Sequence, residues 1–360
     1  MILVLNSGSS SIKFAVFDAD IRQRMSGGID GIGAAGGTLR LGETRAETGA
    51  DTHTEALSEI MRALDEAGHP LDALRAVGHR VVHGGETLTA PARVTPGIRA
   101  EIEAAVPLAP LHNPHNLAGI DAIAELAPDL PQVACFDTGF HATNPEVARR
   151  YAIPDRDETA GIRRYGFHGI SFDAMVATWR DQTGTDLPHR LLALHLGNGA
   201  SLCAIREGES AATTMGYSPL EGLTMGTRSG SIDGNAVLHL AEVMGIEGAR
   251  ELLNHESGLL GLSGESSDMR ALRASDSAAA AFAVEHFCYW AARHAGSMIA
   301  AMGGIDAMAF TGGIGENADP IRDRIVDLLR WSGDVPVHVI EAREEAQIAR
   351  ATADLLSGDA

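Results

Sequence analysis

The sequence predicts an α/β fold assembled from two similar halves. Three observations carry this expectation. Apolar runs with strand spacing alternate with segments of helical periodicity along the chain. A strand–turn–strand pattern at the start recurs near residue 191. The 360 residues exceed what one hydrophobic core commonly supports, so two domains are expected.

The elements follow in order. Residues 2–6 form a compact apolar run, broken by Asn6-Ser7-Gly8-Ser9-Ser10-Ser11. Ile12, Phe14 and Val16 then alternate with Lys13, Ala15 and Phe17, the period of a strand. From Leu191 a second apolar run leads into Gly197-Asn198-Gly199-Ala200-Ser201 and a further run over 202–205. A shift of 191 places Gly199 on Gly8 and Ser201 on Ser10. Each copy offers a turn whose backbone N–H groups suit an anion. Between the copies, a strand through His79 and Arg80 ends in Gly84-Gly85, and a Pro-rich loop over 107–114 leads into a helix beginning near Asn116. The apolar run 133–136 ends at Asp137-Thr138-Gly139. Residues 275–302 are Ala-rich with helical spacing, 308–310 form a short strand before a Gly-rich loop, and 344–356 form a last helix.

Composition narrows function. Lys and Arg number 28 against 48 acids, a net charge of −20, which argues against general binding to nucleic acid or anionic membranes. Phosphate must therefore be handled by a few placed cations and backbone amides. Cys135, Cys203 and Cys288 lie far apart, excluding a disulfide framework and a thiolate zinc site. No signal-peptide h-region and no membrane span is visible, so a cytoplasmic protein is expected.

Single motifs leave several readings open. Gly313-Ile314-Gly315-Glu316-Asn317-Ala318 matches the dinucleotide fingerprint, yet too little chain follows for the rest of such a sheet. A nucleotide-contacting loop of another kind is preferred. Neither a Walker-type phosphate loop nor a hydrolase elbow occurs. His79 and His83 read as structural, while His112 and His115 sit in the Pro loop. Asp137 at a strand end suits a turn, a cap or chemistry equally. For Arg228 a surface ion pair, and for Glu344 a helix-dipole role, are the plain alternatives.

Taken together, the motifs resemble the acetokinase (acetate kinase) family nearly end to end. They are Asn6-Ser7-Gly8-Ser9-Ser10-Ser11-Ile12-Lys13, Gly78-His79-Arg80-Val81-Val82-His83-Gly84-Gly85-Glu86, Pro110-Leu111-His112-Asn113-Pro114 and Phe136-Asp137-Thr138. Further on come Arg164-Tyr165-Gly166-Phe167-His168-Gly169, His195-Leu196-Gly197-Asn198-Gly199, the stretch 219–230, Ser257-Gly258-Leu259-Leu260-Gly261 and the stretch 311–317. The resemblance implies a duplicated actin/hexokinase-like ATPase fold, with two similar domains around a nucleotide cleft. Residues 1–141 with 342–360 would form the acid- and metal-side domain, and 142–341 the nucleotide-binding one. It also implies a homodimer that transfers phosphate reversibly and in line from ATP to acetate, giving ADP and acetyl phosphate, with Mg²⁺ or Mn²⁺. The chain is shorter than usual for the family, mostly between Glu316 and Glu344.

By the same resemblance, Arg80 and Arg228 neutralise charge, His168 donates to the phosphoryl group, and Asp137 orients this cluster or the metal. Val82, Leu111, Phe167 and Pro219 match the pocket for the acetate methyl. Ser9, Ser11, Lys13 and His112 support the phosphate. His195, Gly197, Asn198 and Gly199, with Gly312, Gly313, Ile314, Gly315 and Asn317, match nucleotide contacts, and Asn6 and Glu344 the metal side. A carboxylate nucleophile needs no general base; arginines that fork onto anionic oxygens suit the charge repulsion it meets. A propionate kinase shares these motifs, and an actin- or chaperone-like ATPase shares the fold.

Overall fold

Two strands joined by a short Gly-containing turn begin each half of the fold. The computed structural model describes residues 1–34 and 36–358. The chain divides into two compact units. The first holds Met1–Phe140, Gly169–Ala174 and the C-terminal segment from Arg343; the second holds His141–His168 and Met175–Ala342.

In the first unit, β1 (Ile2–Ser7), β2 (Ser11–Phe17), β3 (Gln23–Asp30), β4 (Gly37–Leu41), β5 (Thr44–Thr48), β6 (Ala76–Val81), β7 (Ala92–Arg93) and β8 (Gln132–Phe136) make one sheet. Its order is β5-β4-β3-β2-β1-β6-β8-β7. The second unit contains β9 (Arg190–Leu196), β10 (Ala200–Arg206), β11 (Glu209–Thr213), β12 (Ala307–Thr311) and β13 (Val337–Val339), in the order β11-β10-β9-β12-β13. Strands β1, β2 and β3 are antiparallel, while β6 and β8 run parallel to β1 on its other side. Strands β9, β10 and β11 repeat the first arrangement, and β12 and β13 repeat the second. One topology is thus built twice, the duplicated α/β arrangement expected from the sequence.

The repeat corrects the expected shift of 191. Ser7 ends β1 and Leu196 ends β9 (196 − 7 = 189), and the starts of β2 and β10 give the same value (200 − 11 = 189). Matching Gly to Gly and Ser to Ser misplaces the alignment. The strands bracket Gly8-Ser9-Ser10 and Gly197-Asn198-Gly199, so Gly8 corresponds to Gly197.

Both faces of the first sheet are covered. Ile12, Phe14 and Val16 pack with Leu57, Ile60 and Leu64 of the helix His53–Glu66 and Ile123 of the helix Asn113–Leu126. Ala15 and Phe17, facing the other way, are also buried, against Ile348 and Ala349 of the C-terminal helix Glu344–Gly358. In the second unit the Ala-rich segment forms the helix Ala278–Met302, capped by Ser277 at its start and by left-handed Gly303 at its end.

Two local expectations change. The helix after the Pro loop starts at Asn113, because Pro114 pre-sets a first turn that the proline pattern alone reads as loop. The segment Gly312–Asn317 is a short helix rather than a loop, entered directly from β12 with Gly312 at φ +78°. A Cβ on Gly312 would lie 2.8 Å from the Leu196 carbonyl oxygen, so both conformation and space favour glycine. The three cysteines are buried free thiols. Among the described residues no helix is long and apolar enough to cross a membrane.

Candidate active site

The first unit gathers one cluster at the carboxyl ends of β1, β6 and β8. Arg80, at the end of β6, meets Asp137 side-on: Nε donates to Oδ1 at 3.0 Å and Nη2 to Oδ2 at 2.7 Å. Its Nη1 lies 3.6 Å from the Glu344 carboxylate, at the start of the last helix. Burial works against the Arg80 charge, but Asp137 and Glu344 outweigh it and strengthen the guanidinium's hold on its proton. Burial also pushes the Asp137 carboxyl up, against the pull of Arg80. The backbone fixes Asp137 as well, since its N–H donates to Val81 and its carbonyl accepts from Gly169.

Around this cluster, Asn6 pairs across the ladder with Lys13, which is exposed on β2. Ser9 is exposed in the turn and Ser11 half-buried at the start of β2. Val82 and His112 are half-buried, whereas Leu111 stands 43% exposed ahead of its helix. Asn6 and Glu344 supply an amide and a carboxylate oxygen, the hard donors that Mg²⁺ takes alongside water and phosphate. Among the described residues no group of three or more His, Cys, Asp or Glu side chains is arranged to hold a metal ion.

The second unit gathers another. His168 takes the left-handed conformation (φ 57°) at the head of the helix Gly169–Thr183, unusual for a residue with a Cβ. Its Nδ1 shares a 2.8 Å hydrogen bond with Ser201, and its ring stacks on His195 at 4.2 Å. A Cβ on Gly199 would sit 3.2 Å from His168 Nε2 and 3.7 Å from Arg228 Nη1, so the bare glycine leaves room between the two. Arg228 donates to the Pro219 carbonyl at 3.0 Å and touches the Met225 sulfur. It meets no carboxylate among the described residues, and burial lowers its hold on the proton. Guanidinium remains charged even so. Phe167 is buried, its carbonyl hydrogen-bonded to His141.

The glycines that the resemblance assigns to the nucleotide divide. Gly312 lies against His195, a Cβ there falling 3.2 Å from its Nε2, while Gly197 and Asn198 form the turn after β9. The Asn198 carbonyl accepts from Gly226 of the Arg228 loop. Gly313 and Asn317 are exposed and joined by a hydrogen bond from Asn317 to the Gly313 carbonyl. Gly315 is buried against β12, with Ile314 half-buried beside it.

Several contributors are not apparent from the sequence. Asn116 accepts from the Val82 N–H at 3.0 Å and donates to the Ser7 carbonyl at 2.9 Å. Asn113 clamps both backbone groups of His83. His53 bonds the Gly8 carbonyl and stacks on His115. Glu316 accepts from the N–H groups of Gly312 and Ala342, so the Gly312 amide is already engaged. Asn113 lies in the Pro-loop motif and His115 and Asn116 directly follow it, where polar residues opening a helix are the available signal. His79 is structural, bonded to Gln132 and pushed down to about 4 by burial.

A model of the acetokinase family matches residues 1–350. The acetate kinase of Rhodopseudomonas palustris is 46% identical over 348 residues, covering 92% of this chain and 87% of that relative. Among solved structures, the acetate kinase of Porphyromonas gingivalis superposes with a TM-score of 0.90 at 37% identity, covering 99% of both chains. A propionate kinase from Francisella tularensis gives 0.91 at 34% identity, covering 97% of this chain and 98% of its own. With nearly its whole length matched in sequence and in fold, the chain belongs to the acetokinase family.

Proposed function

We propose that the chain is an acetate kinase, a phosphotransferase that moves the terminal phosphoryl group of ATP onto acetate and runs in reverse from acetyl phosphate and ADP. The observation that carries the chemistry is Arg228: a half-buried cation with no carboxylate partner among the described residues, beside His168 and Gly199. An unpaired guanidinium is costly to bury unless an anion meets it during function.

In the forward direction an acetate oxygen attacks the terminal phosphorus, the P–O bond to the leaving ADP breaks, and the electron pair stays on ADP. Acetate is already ionised, so no residue removes a proton. The barrier is repulsion between two anions, and the work of the protein is neutralisation and alignment. Arg228 supplies charge to the transferring group, with His168 donating a hydrogen bond from a ring held by Ser201 and His195. Arg80 supplies charge to the acid, and Asp137 locks its fork in place. Val82, Leu111, Phe167 and Pro219 bound the methyl group. Ser9, Ser11 and Lys13, with His112, support phosphate oxygens, and His195, Gly197, Asn198, Gly199, Gly312, Gly313, Ile314, Gly315 and Asn317 take the nucleotide. Asn6 and Glu344 would hold Mg²⁺, which would supply positive charge to screen the phosphates.

The site is assigned to acetate over propionate, with Val82, Leu111, Phe167 and Pro219 as the residues that would discriminate one extra methylene, a difference worth about 10- to 200-fold in kcat/KM. A homodimer is supported by the exposed Leu238, Val243 and Ile246 on the helix Gly234–His255 and by Phe282 and Tyr289. A cytoplasmic location is supported by the buried free thiols. ADP release measured with acetate, with propionate and with no acid tests the reading. Acetate-dependent release with acetate preferred is expected; a preference for propionate replaces the substrate, and release independent of any acid overturns the kinase assignment.

A further inference from the structure

Strands β1 and β6 are neighbours in the first sheet, but their ladder pairs only Ile2 with Ala76 through Leu5 with His79. Beyond it both strands carry the residues assigned above to the chemistry. Asn6 and the Ser9–Ser11 turn follow from β1, while Arg80 and Val82 follow from β6. Where two parallel strands lose their mutual hydrogen bonds, a crevice opens at their carboxyl ends, the usual place for a ligand in such sheets. Nothing in the ladder fixes the width of that crevice.

Asn116 spans the gap. It sits in the first turns of the helix Asn113–Leu126 and is 2% exposed. Its Oδ1 accepts from the Val82 N–H at 3.0 Å, on the β6 side. Its Nδ2 donates to the Ser7 carbonyl at 2.9 Å, on the β1 side. One planar amide thus takes over both strand ends where the ladder stops, and the donor and acceptor assignment is forced by the two backbone partners. The helix carrying it is pressed close, for a Cβ on Gly119 would come within 2.3 Å of Ser7 Oγ.

We infer that Asn116 is a positioning residue for phosphoryl transfer, setting the spacing between the phosphate-side turn after β1 and the acid-side segment Arg80 to Val82. The inference rests on the acetate kinase reading. Asn116 touches neither reactant; it acts through the backbone of Ser7 and Val82. Small displacements of a reacting pair cost large factors in rate, so this spacing governs turnover and acetate binding together.

Two variants test it, assayed by acetate-dependent ADP release and normalised to folded protein by circular dichroism. Asn116→Ala removes both bonds and should lower kcat about tenfold or more, with a raised KM for acetate and little change in KM for ATP. Asn116→Asp differs by one atom and decides the matter should the alanine variant not fold. As a carboxylate it still accepts from Val82 but repels the Ser7 carbonyl; once protonated it regains a donor. Burial raises a carboxyl pKa, so its activity relative to wild type should recover as the pH falls from about 8 to about 6. A merely structural asparagine would lower thermal stability and leave kcat and KM per folded molecule unchanged. That result, or an aspartate variant equally impaired at every pH, overturns the inference. A wild type lacking acetate-dependent ADP release instead overturns the reading beneath it.

Discussion

Arg80 and Arg228 are both half-buried cations in opposite circumstances. Arg80 is gripped by Asp137 and approached by Glu344, whereas among the described residues Arg228 has only a carbonyl and a thioether. Removing one member of a buried pair strands the other charge and costs about 3–5 kcal/mol, an upper bound here because Asp137 can take up a proton. Arg80→Ala should therefore lose stability along with activity. Removing Arg228 strands no charge, leaving only the Pro219 carbonyl short of one donor, and the folded protein is relieved of a desolvated charge. Arg228→Met should keep or raise the melting temperature while turnover collapses. Calorimetry on the two variants checks this; equal losses of melting temperature would contradict the contrast.

At the scale of elements, the turn after β9 makes room for the His168 and Arg228 side chains. Gly199→Ala needs no forbidden backbone angle, yet its methyl group would enter the space between His168 Nε2 and Arg228 Nη1. The variant should fold with nearly unchanged stability and lose kcat by about tenfold or more, as displacing one or both donors requires. Wild-type kcat at equal stability would remove that space from the reaction. The same hairpin shows what the sequence makes legible. A Gly/Ser break between apolar runs announces strand, turn and strand, and does so twice. Asp137 is visible because it follows the apolar run 133–136, whereas Arg80, inside a strand and preceded by Gly78-His79, is visible through its motif alone. Asn116 and Ser201 are not, because their meaning lies in distant partners: Ser7 is 109 residues from Asn116, and His168 is 33 from Ser201. Glu316 hides inside a glycine motif, where attention goes to the backbone rather than to the carboxylate that occupies it.

For the whole molecule, three buried histidines couple folding to pH. His79, His83 and His141 are each pushed from 6.5 down to about 4, chiefly by burial. The unfolded chain then binds more protons than the folded one between those values, so stability is complete above pH 6.5 and lost as pH falls toward 4. Each contributes on the order of 3 kcal/mol across that window. The melting temperature should fall steeply over this range, and His79→Gln should flatten the slope; an unchanged slope would mean that His79 does not titrate on unfolding. Catalysis rests on a different property, the neutralisation of two anions as they meet. The most direct measurement of it is kcat of Arg228→Ala with acetate and ATP, on protein whose melting temperature matches or exceeds wild type. Loss of one placed donor typically removes about 10²–10³ in rate, and a charged one at least that much, with Arg228→Lys restoring little because it cannot fork. A fall of that size is the expected result; an alanine variant retaining more than about a tenth of wild-type kcat, far outside that range, would contradict charge neutralisation by Arg228.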